Sequence, residues 1–452
     1  MGKSLGIPYE LNIIEIMNTP NNLLFILIYS YQIYLVVTIL FLLLDNRRPS
    51  SSIAWILILI FVPYLGFIFY LIFGKNPRRT IRKKDIVLQL FEKKAGKFIL
   101  PLREKEKKVI KDMIATQKSL TRKQLIKFLN KSSHSVLSIQ NKITVFHQGK
   151  DKFKSLKKDL KNAKSSIHLE YYIWRNDSLC KEIEDILIEK AKAGVEVRIL
   201  VDFIGSIFLS LSKVRRLRAA GIFLYPFKKF LSPFKFYALN LRNHRKIVVI
   251  DGHISYLGGM NMGQEYIDGG TRFQAWNDTH LRIVGEASAV VQNVFSVDWF
   301  NITKEALFKP NYYALDTPEA TMTPIQISTS GPDSKWSSVH QSYFILITEA
   351  EKSVYIKTPY FIPDSSIQMG LITAALKGLD VRIMIAGNSD KFIPHWAAFT
   401  FFKDLLDAGV KIYLYKAGFL HSKTVCIDGK ICSIGTANMD LRSFDINYEL
   451  TS

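Results

Sequence analysis

Two long apolar stretches near the N-terminus stand out in the pattern of hydrophobic and polar residues. Leu23–Leu44 contains 22 residues without a charge, and Ile53–Phe73 contains 21 more. Each stretch is long enough to cross ~30 Å of hydrocarbon as a helix, and Pro63 and Gly66 are tolerated in a membrane helix. Because the linker between the stretches is short, the pattern predicts a transmembrane helical hairpin within residues 1–75.

The apolar stretches have two alternatives to a spanning hairpin. A signal peptide does not fit, because the first apolar run is too long and the second follows at once. A re-entrant or interfacial hairpin remains open. Between Lys75 and Lys131 there are 19 basic and 5 acidic residues, which outweigh Arg47 and Arg48 in the opposite loop. This asymmetry predicts a multi-pass protein of the cell membrane whose C-terminal part is cytoplasmic, with residues 76–135 as a basic juxtamembrane linker.

Beyond residue 135 the apolar runs shorten and alternate with helical patterns, and the same alternation occurs twice. Strand, helix, strand, helix and apolar run follow in the same order in both halves, and the helices before the last runs end at Gly221 and Gly409. The predicted strands are 166–173, 194–201, 353–357 and 378–385. The fold class is therefore α/β, with two homologous lobes at 136–310 and 311–452, each a mixed β-sheet flanked by helices.

Charge narrows the partners without choosing one. The chain has 61 Lys and Arg against 39 Asp and Glu, a formal net charge of +22, which favours nucleic acid or an anionic membrane surface. Most of the excess lies beside the predicted hairpin, where each basic residue contributes about 1 kcal/mol of attraction to anionic lipid. Cys180, Cys426 and Cys432 have no metal-ligand spacing, so reduced thiols are expected and a metal site is not.

Each lobe carries the same polar signature next to an apolar run. The first lobe has His244-Arg245-Lys246 followed by Asp251 and Asn261, and the second has the same residue types at matching offsets. In the second lobe these residues are His421, Lys423, Asp428 and Asn438. Histidine and lysine two positions apart on a strand project from one face. Two facing lobes would therefore gather two imidazoles, two ammonium groups and two amides in one cleft.

That set of side chains suits phosphodiester chemistry. One neutral imidazole can attack phosphorus and form a covalent phosphohistidine, while the other, when protonated, can donate to the leaving alkoxide. The lysines and asparagines provide positive charge and donors for the phosphoryl oxygens, so no metal ion or cofactor is required. A single His-x-Lys can occur by chance, whereas two copies with matching Asp, Gly and Asn are not expected by chance.

The paired motifs, His-x-Lys-x4-Asp-x6-Gly-x-x-Asn, resemble the signature of the phospholipase D superfamily. Flanking segments resemble its bacterial cardiolipin synthase branch, and the resemblance covers essentially the whole chain. These segments are Asp45–Pro49, His168–Tyr172, Asp278–Arg282, Thr358–Phe361 and Asn438–Phe444. The resemblance implies that His244 is the nucleophile and His421 the general acid and base, with Lys246, Lys423, Asn261 and Asn438 holding the phosphate.

Carboxylates that orient the imidazoles are expected elsewhere than in the motifs. Asp251 and Asp428 follow the histidines by a strand's length and are interpreted as structural. By resemblance, Glu449 is an orienting carboxylate, and Asp278 is either its counterpart in the first lobe or an ordinary loop residue. Relatives continue beyond the position of Ser452, so the second lobe is expected to be truncated and Glu449 to have little support on its C-terminal side.

The implied reaction joins two phosphatidylglycerol molecules into cardiolipin and releases glycerol, with phosphatidylglycerol and other anionic lipids as partners. Related phosphatidyltransferases or phospholipases, such as phosphatidylserine synthase, are alternatives, as is a catalytically impaired membrane-bound relative that acts as a scaffold. A nuclease is disfavoured, because the charge clusters beside the membrane spans and no base-reading module is present; nucleic acid is not an expected partner.

Aromatic and basic residues interleave in two further segments, Phe227–Tyr237 and Lys391–Phe402. The pattern is typical of amphipathic elements that enter the headgroup region of a membrane, and we interpret both segments as guides for lipid. Core packing beside a solvated basic edge is the alternative.

Overall fold

The computed structural model describes residues 20–44, 49–74, 94, 96–115, 120–227, 240–315 and 321–452. Residues 45–48 of the short linker predicted at 45–50 lie outside these residues, as does the basic stretch at 75–93. The chain separates into two compact units, Met1–Asn76 and Pro77–Ser452.

The described part of the first unit consists mainly of helices. Helices α1, α2 and α3 comprise Pro20–Leu44, Pro49–Phe61 and Pro63–Phe69, and a π-helical turn follows at Tyr70–Gly74. The second predicted span is interrupted before Pro63, because proline cannot donate a backbone hydrogen bond and instead begins a new helix. Among the described helices, none is both long enough and apolar enough to cross a membrane.

The second unit alternates helices and strands, apart from short 3₁₀ turns. Helices α4–α15 are Leu100–Ala115, Leu120–Ser133, Gly149–Asn162, Ser178–Lys192, Leu211–Ala219, Glu265–Asp268, Ala287–Thr303, Ser338–Thr348, Ser365–Leu376, Phe392–Phe399, Phe402–Asp407 and Leu441–Asp445. Strands β1–β10 are Leu137–Phe146, Ser166–Tyr171, Glu196–Asp202, Phe223–Phe227, Lys246–Ile250, Ile254–Gly258, Trp276–Asn277, His280–Gly285, Met322–Gln326 and Ser328–Ser330. Strands β11–β19 are Ser353–Thr358, Phe361–Ile362, Asp380–Ala386, Lys411–Tyr415, Phe419–Leu420, Thr424–Ile427, Ile431–Ile434, Met439–Asp440 and Glu449–Thr451.

The two large sheets repeat one topology. The first has the strand order β4-β3-β2-β5-β6-β8-β1-β9, and the second has the order β14-β13-β11-β16-β17. In each, three parallel strands are followed by two antiparallel ones, so β4-β3-β2-β5-β6 corresponds to β14-β13-β11-β16-β17. The mixed α/β fold with an internal duplication is therefore confirmed.

Equivalent helices begin and end in the same way in both halves. Asp177 accepts a hydrogen bond from a backbone amide at the start of α7, and Asp364 does so at the start of α12, as expected of N-caps. Gly221 (φ 86°) and Gly409 (φ 95°) follow α8 and α14 in the left-handed region that favours glycine. The same capping residues therefore recur in both halves, as expected of two copies of one structural unit.

The segment interpreted as a linker is partly folded against both lobes. Ile99 and Leu102 pack into one core of the first lobe, which includes Phe295 and Trp299. Leu125 and Leu129 pack into the core of the second lobe. The described part of residues 96–133 therefore contributes to the second unit instead of only connecting it to the hairpin.

Two expectations about the second lobe are wrong. Strand β19, which carries Glu449, pairs with β10, and Ser452 exchanges backbone hydrogen bonds with Ile434. Glu449 and Leu450 are completely buried, so this strand has firm support. Cys426 and Cys432, expected as free thiols, lie opposite each other on β16 and β17 and are joined by a disulfide.

Candidate active site

The two His-x-Lys segments have the same local geometry. Lys246 is the first residue of β5, and Lys423 immediately precedes β16, so both histidines lie at the entrance to matching strands. In each motif the lysine Nζ donates a hydrogen bond to the carbonyl oxygen of the histidine two residues earlier. His244, Lys246, His421 and Lys423 are all buried.

Each imidazole is held by a carboxylate from the opposite lobe. Nδ1 of His244 lies 3.0 Å from both carboxylate oxygens of Glu449. Nδ1 of His421 lies 2.6 Å from Oδ2 of Asp278. The structure thus places Glu449 and Asp278 as the partners of the two histidines, and neither lobe contains a complete pair by itself.

Exchanged backbone pairing creates this crossed arrangement. The His244 amide donates to the Tyr448 carbonyl at 3.0 Å, one residue before Glu449. In the other half the His421 amide donates to the Asn277 carbonyl at 2.7 Å, one residue before Asp278. The same connection therefore occurs twice, with the roles of the lobes reversed.

The two carboxylates have different surroundings. A Cβ atom added to Gly259 would lie 2.0 Å from Oδ1 of Asp278, so glycine is required there. The equivalent position in the second lobe is Thr436, whose hydroxyl donates to Glu449. Asn447 donates to the same carboxylate at 3.1 Å. Aspartate opposite glycine and glutamate opposite threonine are alternative ways to fill the same space.

The His244–Glu449 pair is suited to a nucleophile. Burial lowers the pKa of His244 to about 4, although Glu449 opposes this shift. Burial alone would raise the pKa of Glu449, but the charge and hydrogen bond of His244, with Lys246 and Thr436, lower it to about 2. At neutral pH His244 is neutral and donates from Nδ1 to an ionised carboxylate, which leaves the Nε2 lone pair available.

The pKa of the second imidazole, that of His421, is subject to a different set of effects. Burial lowers the pKa of His421, the Lys423 ammonium lowers it further, and Asp278 raises it. An anionic phosphodiester bound beside the imidazole would act in the same direction as Asp278 and favour the protonated form.

The pKa values of the two motif lysines lie near neutrality. Burial lowers the pKa of Lys246 to about 7, and the Lys423 charge adds to this shift while Glu449 opposes it. Burial lowers the pKa of Lys423 to about 8 against the effects of Asp278 and Glu449. A bound anion would favour the charged form of both buried lysines.

The two asparagines lie at the same cleft but differ in their bonding. Oδ1 of Asn261 accepts from the Ile173 amide at 3.1 Å, and Nδ2 donates to the Tyr266 hydroxyl at 2.7 Å. Within the described residues, Oδ1 of Asn438 is buried without a hydrogen-bond partner. Asn261 is therefore fixed by its neighbours, whereas Asn438 retains an unused acceptor.

The motif aspartates lie at the opposite ends of their strands from the histidines. Asp251 accepts hydrogen bonds from the amides of residues 164–166, where β2 begins. Asp428 accepts from the amides of residues 351–353, where β11 begins. Their position is that of structural braces, and the structure does not bring them to the cleft.

His244, His421, Asn261 and Asn438 line one cleft of about 680 Å³. Side chains that sequence reasoning did not single out complete it. These include Tyr172, Arg242, Tyr266, Trp276, Tyr360 and Arg442. Tyr172, Tyr360 and Arg442 belong to segments that carried the family resemblance, so a signal for them was present. Among the described residues, no group of three or more His, Cys, Asp or Glu side chains could hold a metal ion.

Aromatic rings pack against both histidines. The Tyr172 ring meets the His244 ring edge-on at 5.0 Å, and the Trp276 ring lies 5.3 Å from that of His421. Of the two aromatic and basic segments, residues 228–237 lie outside the described part of the chain. The other segment is described, and its Lys391 and Pro394 line the cleft.

Two family models match this chain. The family model "Cardiolipin synthase, PLD-like domain" matches residues 156–299 and 343–452. A second model, "Phospholipase_D-nuclease N-terminal", matches residues 32–75. The first model covers the histidine motif of each lobe.

Curated relatives are similar over nearly the whole chain. A cardiolipin synthase from Halalkalibacterium halodurans is 39% identical over 434 residues, which are 94% of this chain and 84% of the relative. One from Oceanobacillus iheyensis is 40% identical over 95% of this chain and 88% of the relative. The crystal structure of a phosphatidylserine synthase from Haemophilus influenzae has the same fold, with a TM-score of 0.52 at 15% identity over 73% of this chain and 86% of that one.

Proposed function

The chain belongs to the cardiolipin synthase family of phospholipase D-like proteins, and from this premise we propose that it joins two phosphatidylglycerol molecules into cardiolipin and releases glycerol. One observation carries the proposal. Two buried histidines line a single cleft, and each is held by a carboxylate from the opposite lobe. Two separately held imidazoles suit a reaction that forms and then resolves a covalent intermediate.

In the first step, Nε2 of His244 attacks the phosphorus of one phosphatidylglycerol. The new P–N bond replaces the bond between phosphorus and the headgroup glycerol oxygen, and protonated His421 transfers its proton to that oxygen. Glu449 stabilises the positive charge that develops on His244, because it stays ionised beside Nδ1.

In the second step, neutral His421 accepts the proton of a hydroxyl on a second phosphatidylglycerol. The resulting oxygen attacks phosphorus, the P–N bond breaks, and His244 is restored. Lys246 and Lys423, which are buried and bond to the histidine carbonyls, neutralise the phosphoryl oxygens, and Asn438 and Asn261 line the cleft. Water in place of the second lipid would give phospholipase activity as a side reaction.

We also propose that the chain is attached to the membrane by its N-terminal hairpin, with the lobes on the cytoplasmic side. Support comes from the charge-free stretches at 23–44 and 53–73 and from the basic residues that follow them. In addition, Leu24, Phe61 and Ile68 belong to a large set of exposed apolar side chains in this unit. A bilayer would remove these side chains from water.

The test is synthesis from a single lipid. Purified full-length protein in vesicles that contain phosphatidylglycerol should yield cardiolipin and glycerol in equal amounts. His244→Ala should abolish both products, together with a base-stable, acid-labile lipid–enzyme adduct. His340→Gln is a matched control, because His340 also pairs with a carboxylate, Asp364 at 3.1 Å, but does not line the cleft.

Other products would contradict the proposal. Phosphatidic acid without cardiolipin would indicate a phospholipase. Product formed only from a nucleotide-activated lipid and serine would indicate a phosphatidylserine synthase. Full synthesis by His244→Ala would refute the covalent mechanism.

A further inference from the structure

An exposed apolar cluster lies in the first lobe just after β3. Ile207, Phe208 and Leu211 are 57%, 74% and 73% exposed. They occupy the loop before α8 and its first residue. Burial of one such side chain is worth roughly 1.5–3 kcal/mol, and three of them so close along the chain indicate a surface that is covered in use.

A second cluster lies at the equivalent place in the second lobe. Phe392, Ile393 and Trp396 on α13 range in exposure from 55% for Trp396 to 78% for Phe392 and Ile393. Strand β13, which precedes them, is the counterpart of β3 in the duplicated topology. The two clusters have no similarity in sequence, so the same property arises twice at one position of the fold.

Both clusters adjoin the cleft. In the first lobe, the Ser206 hydroxyl donates to the carbonyl of Tyr172 at 3.1 Å, and Tyr172 lines the cleft. In the second lobe, Lys391 and Pro394, which flank Phe392 and Ile393, line the cleft themselves. The first cluster therefore borders the cleft through residues of the first lobe, and the second cluster borders it through residues of the second lobe.

We propose that these two clusters form a paired apolar rim that inserts into the surface of an anionic bilayer around the mouth of the cleft. The rim comprises Ile207, Phe208, Leu211, Phe392, Ile393 and Trp396. This inference rests on the proposed function and specifies how its substrates arrive. A rim formed by both lobes lets two lipid headgroups enter the cleft while their acyl chains stay in the bilayer.

Charge beside the rim selects a membrane as the occupant. Arg215 is exposed on α8, and Lys391 is exposed beside the second cluster, as is Arg272, which donates a hydrogen bond to the Asp390 carbonyl at 3.4 Å. Apolar side chains next to basic ones match the composition of a bilayer surface, in which anionic headgroups lie above hydrocarbon. A protein partner or a second copy of the chain is the alternative occupant of this surface. The test described below distinguishes both from a membrane.

The test compares one lipid in two physical states. Full-length protein with Phe208→Ser and Phe392→Ser, or with Ile207→Ser and Ile393→Ser, is assayed on phosphatidylglycerol vesicles and on short-chain phosphatidylglycerol below its micelle concentration. Turnover on vesicles should fall by about tenfold or more, because the lost burial weakens insertion. Turnover on the monomeric lipid should stay within about twofold of the wild type.

A control and a position measurement accompany this comparison. Met369→Ser with Leu376→Ser removes exposed apolar side chains (63% and 70%) from α12, away from the cleft, and should leave vesicle turnover unchanged. Bromine-labelled acyl chains should quench a fluorescence component that is lost in Trp396→Phe.

Three outcomes would overturn the rim. They are equal losses on vesicles and monomers, an equal loss in the α12 control, or a change of oligomeric state in the rim variants. A wild-type protein without activity on either form of the lipid would instead refute the proposed function. In that case the quenching of Trp396 still decides whether the rim enters the bilayer.

Discussion

His244 and His421 occupy equivalent positions in the two halves, but the carboxylates that hold them differ in length and in surroundings. Glu449 accepts hydrogen bonds from His244, Thr436 and Asn447. Asp278, one methylene shorter, accepts from His421 and from the amide of Thr279 at 2.7 Å. The backbone connection that brings each carboxylate across is nevertheless the same.

This difference shows which parts of a duplicated site can diverge. The strand order, the lysine–carbonyl bond and the crossed backbone pairing are kept in both copies, because they fix where the imidazoles lie. The side chains around each carboxylate differ, and they set how strongly its charge is held. Glu449 has one hydrogen-bond donor more than Asp278, so its negative charge is better stabilised. An ionised carboxylate beside Nδ1 stabilises the positive charge that an imidazole gains when it attacks phosphorus. The asymmetry therefore supports the assignment of His244 as nucleophile.

The largest effects should come from the histidines, and the two should fail in different ways. His244→Ala should remove both synthesis and the adduct. His421→Ala should slow synthesis by about 10²–10⁴-fold, the range attributed to general acid–base catalysis. With a substrate that carries a nitrophenol leaving group, His421→Ala should recover adduct formation, because such a group leaves without a proton. Recovery in His244→Ala instead would reverse the assignment.

The next effect tests the crossed carboxylates. Glu449→Gln and Asp278→Asn should each reduce kcat/KM by about 10²–10⁴-fold, as neutral replacements of imidazole-orienting carboxylates do. The pKa of His244, about 4, should fall further without the Glu449 charge, which opposes the lowering by burial. The acid limb of the kcat/KM profile, below which His244 is protonated, should therefore move to lower pH.

Asp278→Asn should act on the other limb. Loss of the Asp278 charge lowers the pKa of His421, so the alkaline limb, above which His421 loses its proton, should move to lower pH while the acid limb stays in place. Identical shifts in the two variants, or a loss of activity with an unchanged profile, would mean that the carboxylates only maintain the fold.

Much of this site was accessible from the sequence, and the limits have physical reasons. The duplicated His-x-Lys motif predicted both imidazoles and both ammonium groups, because those residues are close along the chain. Asp278 could not be distinguished from a loop residue, since its partner His421 is 143 positions away and only the folded strands connect them. The support of Glu449 was also missed, because it comes from pairing with β10, which leaves no local pattern.

Substitutions at Gly259, which faces Asp278, and at Thr436, which faces Glu449, should reduce activity less and by different amounts. Gly259→Ala places a Cβ atom 2.0 Å from Oδ1 of Asp278 and must displace it. A shift of about 1 Å at a catalytic group can cost about 10²-fold. Thr436→Ala removes one hydrogen bond to Glu449, worth about 1.5–3 kcal/mol for a charged acceptor, and should reduce kcat/KM by about tenfold. Melting temperatures measured alongside separate these losses from unfolding, and equal losses would mean that the two halves tolerate change alike.

The smallest effect should appear in stability and leave chemistry untouched. Asp251 and Asp428 each accept hydrogen bonds from three successive backbone amides, and Asp251 also accepts one from the Ser165 hydroxyl. Burial would raise the pKa of both carboxyls, but these bonds lower it. Their contribution to stability is therefore present at neutral pH and is lost as the pH falls through the lowered pKa of the folded protein.

Asparagine at either position accepts fewer of these bonds but tolerates the left-handed backbone found there, φ 50° at Asp251 and 55° at Asp428. Each substitution should lower the free energy of unfolding by about 1–2 kcal/mol, measured by denaturant titration, with the larger loss at Asp251 because it has the extra donor. The kcat per folded molecule should not change, since both carboxylates lie at the far ends of strands whose near ends hold the histidines. A loss of kcat in a fully folded Asp251→Asn protein would show that a displacement at Asp251 reaches His244 along β5. If Asp428→Asn showed no such loss, the asymmetry of the two halves would extend from their carboxylates to their strands.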